Sequence, residues 1–248
     1  MPPTAPPALL PAPWVIAIDG PSASGKSSTA GAVAEQLGLA HLDSGALYRG
    51  MTRIALDRSG SVGVESVLGA PERLIQEAER RKLTLTSTPA GFVPRLDGMD
   101  ADPLIRTPVV TAGVSAVSAV PAIREWVDHQ LRAIARSAGG AVVDGRDIGT
   151  VVFPEAPLKI YLIASARARA RRRLEQRGEA VGEATLAAET ARLSARDAAD
   201  SGRAVAPLKM ASDALPLDGT DLTFAEQVAW IVSRARSIGI GQPKKSAP

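Results

Sequence analysis

The feature that most constrains the fold is the stretch GPSASGKSS, from Gly20 to Ser28. The apolar run Trp14–Ile18 before it predicts a buried β-strand, and Thr29–Leu37 after it has the composition of an α-helix. A glycine-rich loop at a helix N-terminus offers unpaired backbone N–H groups and a favourable helix dipole to an anion. The pattern G-x-x-x-x-G-K-[ST] in this context predicts a P-loop, which binds the phosphates of a nucleoside triphosphate.

Each part of that pattern has a chemical task. Gly20 and Gly25 allow the loop to bend without placing a Cβ against the phosphate oxygens. Lys26 brings a positive charge to the β and γ phosphates, and the hydroxyls of Ser27 or Ser28 can face Mg²⁺ or its waters. A glycine-rich turn that binds nothing is the alternative, which the register of strand, loop, Lys and helix disfavours. The residues predicted to bind the triphosphate are Gly20, Pro21, Ser22, Ala23, Ser24, Gly25, Lys26, Ser27 and Ser28.

Composition narrows the classes of protein to which the chain can belong. Its 248 residues, 45% of them hydrophobic, are enough for one globular unit with a sizeable core. The net charge is only +3, but 23 of the 29 basic residues are Arg, which suits bidentate binding of phosphates better than general attraction to a nucleic acid. The chain has no Cys, which excludes disulfides, thiolate metal sites and a cysteine nucleophile.

The composition of the N-terminal residues and the length of the apolar runs indicate where in the cell the protein acts. Residues 1–13 contain six prolines and no basic residue, so we expect a disordered or polyproline-like tail and neither a signal peptide nor a helix. No apolar run approaches the roughly 20 residues that span a membrane. We therefore expect a cytoplasmic monomer whose partners are small molecules, with no nucleic acid and no membrane.

Beyond the P-loop, short apolar runs alternate with amphipathic segments, which favours a parallel sheet covered on both faces by helices. Three of these runs are followed directly by polar residues, at Asp43–Ser44, Asp144–Asp147 and Asp218–Gly219, where ligands bind in open α/β sheets. We predict an α/β fold with five parallel strands and a site at their carboxyl ends. The predicted strands are Trp14–Ile18, Leu39–Leu42, Ala141–Val143, Lys159–Ile163 and Ala214–Leu217.

Two segments interrupt the alternation. Residues 51–113 contain a helical stretch (Pro71–Arg81), an alternating run (Lys82–Thr88) and a hairpin turn at Asp97–Gly98, which predicts a small α+β insertion between core segments 14–50 and 114–248. Residues 165–182 concentrate arginines on one helical stretch that ends near Gly178. They form either a solvated basic face or a site for a polyphosphate. These arginines are Arg167, Arg169, Arg171, Arg172, Arg173 and Arg177.

Further charged residues are candidates for a second substrate. Arg49 lies about a turn into a helix that Asp43 or Ser44 can cap. Asp144, at the end of its strand, is either a partner of Mg²⁺ or its waters or a structural carboxylate that caps the next turn.

Two helical sets allow alternative interpretations. Arg196, Asp200 and Arg203 stand at i, i+4 and i+7, which predicts that all three project from one face of a helix. Arg124 and Asp128 are likewise four residues apart. Each set is either an ion-pair ladder on a helix surface, worth a few tenths of a kcal/mol, or part of a binding site.

Together, four stretches resemble the nucleoside monophosphate kinases, and within them the bacterial cytidylate kinases. The stretches are IDGPSASGKSS, LDSGALYR, VDGRDIGTVVFP and RDAADSGRAVAPL, and the resemblance runs from about Trp14 to the C-terminal helix. It implies an ATP-dependent kinase for CMP or dCMP that uses Mg²⁺. It also implies a P-loop core of five parallel strands, an insertion at residues 51–113 that binds the monophosphate, and a lid at residues 165–182. Ser28 departs from the family, which usually has Thr there, but the hydroxyl is retained.

The resemblance also assigns roles to individual residues. Arg49, Arg146 and Arg203 would bind the acceptor phosphate, with Ser44 close to it. Ser115, Arg124 and Asp147 would read cytosine, and Arg196 and Asp200 would hold the ribose. Together with the P-loop chemistry, this predicts that Lys26, Arg146, Arg203, Arg172 and Arg173 act in the transfer, and Ser27 and Asp144 are the candidates for the metal.

Two alternative functions would require sequence features that this chain lacks. A guanine-reading switch uses an Asn-Lys-x-Asp loop, and the chain contains no Asn. A nucleic-acid-binding ATPase would use aromatic stacking platforms, whereas the three Trp, three Phe and two Tyr are scattered. A kinase for another small acceptor, such as UMP or a shikimate-like alcohol, remains open. Only the set of Asp147, Arg124 and Ser115 argues against it.

Overall fold

The computed structural model describes residues 14–88 and 91–241, so the predicted tail at residues 1–13 lies outside the described part. The strands are β1 (Trp14–Asp19), β2 (Ala40–Asp43), β3 (Thr84–Thr88), β4 (Gly91–Leu96), β5 (Met99–Asp100), β6 (Gly140–Gly145), β7 (Leu158–Ile163) and β8 (Leu215–Asp218). A five-stranded sheet has the order β2-β6-β1-β7-β8, and every neighbouring pair in it is parallel. All five predicted parallel strands are confirmed, with bounds that differ by one or two residues.

Helices cover both faces of this sheet. The α-helices of the described residues are α1 (Lys26–Leu37), α2 (Ser44–Ser59), α3 (Pro71–Arg80), α4 (Asp102–Ile105), α5 (Pro108–Val117), α6 (Pro121–Ser137), α7 (Ala166–Gln176), α8 (Glu183–Ser201) and α9 (Phe224–Ser237). Of these, α1, α2, α6 and α9 pack against the strands of the sheet. Successive side chains of the central strand β1 point to opposite faces. Ile16 and Ile18 pack in the cluster formed with α1 and α9, whereas Val15 and Ala17 pack in the cluster formed with α2 and α6. Burial of β1 between these two layers fixes the direction of the loop that follows it.

The segment after α2 has the predicted α+β composition. The helical stretch is α3, and the antiparallel strands β3, β4 and β5 form a second, three-stranded sheet. Asp97 and Gly98 join β4 to β5 with φ values of 55° and 79°, as a two-residue hairpin with a primed turn requires. The proposed boundaries at residues 50/51 and 113/114 fall within α2 and α5, and side chains of the segment join the same core as β1. The division into core and insertion therefore stays a prediction.

The arginine-rich stretch also forms a helix, α7, and Gly178 follows it in the left-handed conformation (φ 68°). The next helix, α8, is shorter than predicted because it ends at Ser201. Gly202 follows, and the N–H of Leu208 donates to the carbonyl of Asp200 (2.9 Å), which closes the helix end. The prediction that Arg203 shares a helix face with Arg196 and Asp200 is wrong, because Arg203 lies beyond the helix.

Within residues 14–88 and 91–241, no helix combines the length and the apolar character needed to cross a bilayer.

Candidate active site

A cavity of about 860 Å³ opens above the carboxyl ends of β2 and β6 and the N-terminus of α1. The register places Asp43 beside Asp144 at these strand ends, so polar side chains meet at one edge of the sheet. Most of the residues predicted for ATP and CMP line this cavity, including Ser22–Ser28 of the P-loop, Ser44, Arg49, Ser115, Arg124 and Asp147. Gly20 and Pro21 do not line it.

Glycine is required at the two P-loop positions for different structural reasons. Gly25 has φ 93°, a left-handed conformation that a side chain would strain, and it immediately precedes α1. At Gly20 a Cβ would stand 2.0 Å from the carbonyl oxygen of Leu162 on β7. Gly20 is therefore required by close packing of the loop on β7, and not by clearance for a phosphate as its place in the motif suggests.

Lys26 is buried at the floor of the cavity, with 6% of its surface exposed. Its Nζ donates to the carbonyl of Pro21 (2.7 Å) and contacts Oγ of Ser24 (3.4 Å). Burial lowers the pKa of the Lys26 ammonium well below its ordinary value, and the nearby charge of Arg146 lowers it further. An anion bound beside Nζ would relieve both effects, so the site is suited to phosphate.

The predicted metal residues Ser27 and Asp144 are in contact. Oγ of Ser27 donates to Oδ2 of Asp144 (2.6 Å), and Nε2 of His41 lies 2.7 Å from Oδ1. Burial opposes ionisation of Asp144, but the hydrogen bonds from His41 and Ser27 and the charges of His41 and Lys26 hold its pKa below its ordinary value. A carboxylate and a hydroxyl beside a phosphate site fit Mg²⁺, which takes oxygen ligands and usually keeps several waters. Among the described residues no three His, Cys, Asp or Glu gather as a metal cage.

The start of α2 is not capped in the predicted way. Asp43 occupies the N-cap position, but neither its side chain nor that of Ser44 bonds to an N–H of the helix in the described structure. Oγ of Ser44 donates instead to the carbonyl of Asp144 (2.7 Å), and Oδ2 of Asp43 lies 3.4 Å from Nη2 of Arg106. These residues therefore tie β2 and α2 to the end of β6 and to α4.

Asp200 organises the arginines predicted for the acceptor phosphate. Its side chain is 2% exposed, Oδ2 accepts from Nε of Arg146 (2.9 Å), and Oδ1 accepts from Nη2 of Arg203. Arg196, four residues before Asp200 on α8, forms no ion pair with it among the described residues, so the surface-ladder interpretation does not apply. The carboxylate holds two guanidinium groups side by side at one wall of the cavity.

Two other arginines of this wall are not neutralised. Nε of Arg196 is buried and has no hydrogen-bond partner within residues 14–88 and 91–241. Burial, and then the charge of Arg146, lower the pKa of Arg196 to about 10. Burial also lowers the pKa of Arg49, whose Nη1 donates to Oγ1 of Thr111 (2.8 Å). Half-buried guanidinium groups that form no ion pair with a carboxylate of the described residues are suited to a polyanion.

The residues predicted to read the base form a buried pair. Nη2 of Arg124 contacts Oδ2 of Asp147, its Nη1 donates to the carbonyl of Ser118 (3.0 Å), and each residue is 3% exposed. Burial raises the pKa of Asp147, although the charge of Arg124 opposes this shift. The predicted ladder between Arg124 and Asp128 is not formed, because Arg124 is paired with Asp147. Ser115 on α5 lines the same part of the cavity.

The arginines of α7 divide between the two interpretations given to them. Arg172 and Arg173 line the cavity, whereas Arg167 and Arg171 are exposed, and Arg167 pairs with Glu183. Nη2 of Arg172 donates to the carbonyls of Gly219 and Thr220, and Nη1 of Arg173 donates to Oε1 of Gln176 (3.2 Å). That Arg172 and Arg173 reach the transferring phosphates stays a prediction.

Sequence reasoning gave no role to several other residues of the cavity wall. Tyr48 lies beside Arg124, whose Cζ is 5.3 Å from the ring centroid, and its hydroxyl is buried with no partner in the described part of the chain. Arg106, which contacts Asp43, and the apolar side chains of Leu222 and Phe224 also line the cavity. Tyr48 could have been found from the sequence, because it directly precedes Arg49. Arg106, Leu222 and Phe224 depend on long-range packing.

Comparison with known proteins agrees with this arrangement. The sequence model described as cytidylate kinase matches residues 16–237. A cytidylate kinase of Streptomyces griseus is 47% identical over 220 residues, which cover 88% of this chain and 91% of the relative. A cytidylate kinase of Nocardia farcinica is 43% identical over 93% of this chain and 98% of the relative, and one of Streptomyces avermitilis is 44% identical over 88% and 91%. With the family's four characteristic stretches gathered around one cavity, the chain belongs to the cytidylate kinase family.

Proposed function

We propose that the protein transfers the γ-phosphoryl group of ATP to CMP or dCMP, giving ADP and CDP or dCDP. The observation that carries the proposal is a single cavity with the P-loop at one end, the Arg124–Asp147 pair at the other, and arginines between them. A switch GTPase or a nucleic-acid-binding ATPase would not need that second end. The names of the relatives support the same reaction.

The chemistry of the transfer requires positioning and charge compensation. The acceptor phosphate oxygen is already ionised at neutral pH, so no strong general base is needed. Arg146 and Arg203, held side by side by Asp200, would bind the acceptor phosphate, and Lys26 would bind the β and γ phosphates of ATP. Ser27 and Asp144 would hold Mg²⁺ or its waters, and the ion would supply positive charge that offsets the negative charge of the ATP phosphates. The two polyanions could then approach each other in line.

Arg196 could contact either the ribose or a phosphate in this reaction. The resemblance implies that Arg196 and Asp200 hold the ribose. The buried Nε of Arg196 has no hydrogen-bond partner in the described part of the chain, and Arg146 lies near it, which supports a phosphate contact as well. Asp200 has both carboxylate oxygens engaged by arginines, so its contribution to the ribose would be shared with Arg146 and Arg203.

Selectivity for cytosine follows from the buried pair. The exocyclic amine of cytosine needs an acceptor, and the ring carbonyl needs a donor. Asp147 offers the first and Arg124 the second, and uracil would present a carbonyl to the carboxylate of Asp147. Closure of the segment 165–182 over both nucleotides would exclude water and limit wasteful hydrolysis of ATP. Action as a cytoplasmic monomer completes the proposal.

The test is release of ADP from ATP and Mg²⁺ in the presence of CMP, dCMP, UMP, AMP or shikimate, one at a time. We expect the highest kcat/KM with CMP or dCMP, a lower value with UMP, and background rates with AMP and shikimate. Omission of Mg²⁺ should abolish the release. Preferred turnover of UMP or shikimate would contradict the assigned acceptor, and ADP release that no acceptor stimulates would contradict the kinase.

A further inference from the structure

Ser22, the third residue of the P-loop, has all its polar groups engaged by residues outside the loop. Its backbone N–H donates to Oδ1 of Asp197 (2.9 Å), and its carbonyl accepts from Nη1 of Arg169 (2.7 Å). Its hydroxyl accepts from Nη2 of Arg146 (2.9 Å). Since the N–H is directed at a carboxylate, Ser22 connects the loop to its surroundings and does not offer that donor to a phosphate.

The residues that hold Ser22 come from different elements. Arg169 lies on α7, Asp197 lies on α8, and Arg146 follows β6. Nη1 of Arg169 also bonds Oδ2 of Asp197 (2.6 Å), and its Nε donates to the carbonyl of Ala164 after β7 (2.9 Å). Arg169 is buried, and truncating either partner of a buried, hydrogen-bonded charge pair leaves the other uncompensated. The start of the P-loop is thus attached firmly to α7 and α8.

The position of Asp197 on α8 connects the P-loop to residues predicted to bind the acceptor. Asp197 directly follows Arg196 and stands three residues before Asp200, so a movement of α8 away from the loop would move both acceptor-side residues with it. We propose that Asp197, together with Arg169, is a positioning residue that fixes the acceptor groups of α8 at the correct distance from the donor phosphates. This inference rests on the proposed phosphoryl transfer.

The predicted effect is on the chemical step. In-line transfer tolerates little displacement, and a misplacement of about 1 Å can cost about 100-fold in rate. Neither Asp197 nor Arg169 is expected to touch a nucleotide, so binding should change much less than turnover. When the acceptor is displaced, the γ-phosphoryl group remains open to water, and hydrolysis should gain relative to transfer.

The Arg167–Glu183 pair supplies a matched control. It joins the same two helices, with Nη1 to Oε1 at 3.0 Å and Nη2 to Oε2 at 2.8 Å, but it is exposed and does not touch the P-loop. Replacing Glu183 with Ala therefore removes an α7–α8 ion pair without releasing Ser22.

The experiment measures kcat, both KM values, the ratio of CMP phosphorylation to ATP hydrolysis, and the melting temperature of the full chain. We expect Asp197→Ala to lower kcat with CMP by about 10- to 100-fold, with each KM within about threefold of wild type and a lower transfer-to-hydrolysis ratio. Asp197→Asn keeps an oxygen for the Ser22 N–H and should lose less. Glu183→Ala should stay within about twofold of wild type in all kinetic parameters.

The outcomes separate this inference from the proposed function. If wild type does not phosphorylate CMP, the proposed function fails and the inference with it. If wild type is active and Asp197→Ala retains its kcat and its transfer ratio, only the inference is overturned. The inference would also be overturned if the kcat losses of Asp197→Ala and Glu183→Ala simply followed the decrease in melting temperature of each variant. Asp197→Asn provides the same comparison if Asp197→Ala fails to fold.

Discussion

The donor and acceptor ends of the cavity are built in different ways. The P-loop at the donor end consists of consecutive residues, and Lys26 makes its hydrogen bonds to Pro21 and Ser24 within that loop. At the acceptor end, Arg146 bonds to Asp200 across 54 positions of the chain, and Arg124 bonds to Asp147 across 23. The P-loop is therefore encoded by local sequence, although Asp144 joins it from a distant strand end. The acceptor site exists only when the core brings α6, α8 and the end of β6 together.

The two ends also differ in charge balance. Asp144 at the donor end has three polar neighbours that favour its ionised form, His41, Ser27 and Lys26. At the acceptor end, burial and neighbouring cations disfavour the charged form of Arg196 and Arg49. Burial and Arg146 disfavour the charged form of Lys26 at the donor end as well, so the two ends differ in the ionised carboxylate of Asp144 and share the need for a bound anion. Substitutions at each end test this contrast.

The largest effect is expected at the donor end. Lys26→Ala should lower kcat about 10²- to 10³-fold, because the ammonium compensates charge that develops on the transferring group. The same loss should appear in kcat/KM for both nucleotides, with the melting temperature little changed. Steady-state kinetics provide the measurement, and Lys209→Ala, at an exposed position, is the control. Near-normal turnover of the Lys26 variant would disprove the P-loop assignment.

At the acceptor phosphate, Arg49→Ala, Arg146→Ala and Arg203→Ala should each cost about 2–5 kcal/mol in kcat/KM for CMP, because a partly desolvated guanidinium–phosphate contact is lost. Lys at the same positions should recover little, since it cannot reproduce the planar fork. Arg53→Ala, which removes the Arg53–Asp57 pair on the same helix as Arg49, should leave the CMP kinetics unchanged. Normal CMP kinetics in all three variants would mean that these arginines have only a structural role.

Base choice should respond to the buried pair. Asp147→Ala should reduce kcat/KM for CMP by about 1–3 kcal/mol more than for UMP, because the acceptor for the cytosine amine is lost. The KM for ATP should change little. The ratio of kcat/KM for CMP and UMP in wild type and variant is the measurement. An unaltered ratio would mean that the base is read elsewhere.

The smallest effect concerns stability at the acceptor end. Asp128 on α6 is buried, its Oδ1 has no hydrogen-bond partner in the described part of the chain, and burial raises its pKa to about 6, with Asp147 adding to the shift. Because the folded pKa lies above the unfolded value, ionised Asp128 destabilises the fold above pH 6, and this penalty disappears as the pH falls toward 4. Asp128→Asn should therefore stabilise the protein by about 1–2 kcal/mol at pH 8 and by almost nothing near pH 4.

Chemical denaturation at both pH values measures that difference. Glu125→Gln, at an exposed position of the same helix, is the control variant. A lower stability of Asp128→Asn at pH 8 would mean that the carboxylate makes a favourable contact that the native structure needs.

Much of the fold was predictable because its determinants are local. The apolar runs of the five parallel strands and the pattern from Gly20 to Ser27 define the sheet and the P-loop without reference to distant residues. The resemblance placed the chain in the cytidylate kinase family, which the relatives confirm. Its residue roles, and Mg²⁺ as the metal, stay predictions.

What could not be predicted depends on long-range contacts. The hydroxyl of Ser44 is directed to the carbonyl of Asp144, 100 positions away, instead of capping α2. Arg203 reaches Asp200 from beyond the helix end, which a helical spacing rule cannot anticipate. The requirement for Gly20 comes from the carbonyl of Leu162 on a neighbouring strand. In each case the partner is chosen by tertiary packing.

The continuity of the cavity has a consequence for inhibition. Because the P-loop and the Arg124–Asp147 pair open into one space of about 860 Å³, a single compound could occupy both ends. A compound in which adenosine and cytidine are joined through a chain of phosphates binds as one molecule. It therefore loses translational freedom once, whereas the two separate substrates each lose it on binding. Such a compound should bind far more tightly than either nucleotide. The spacing of phosphates that binds best would then measure the separation of the two ends in solution.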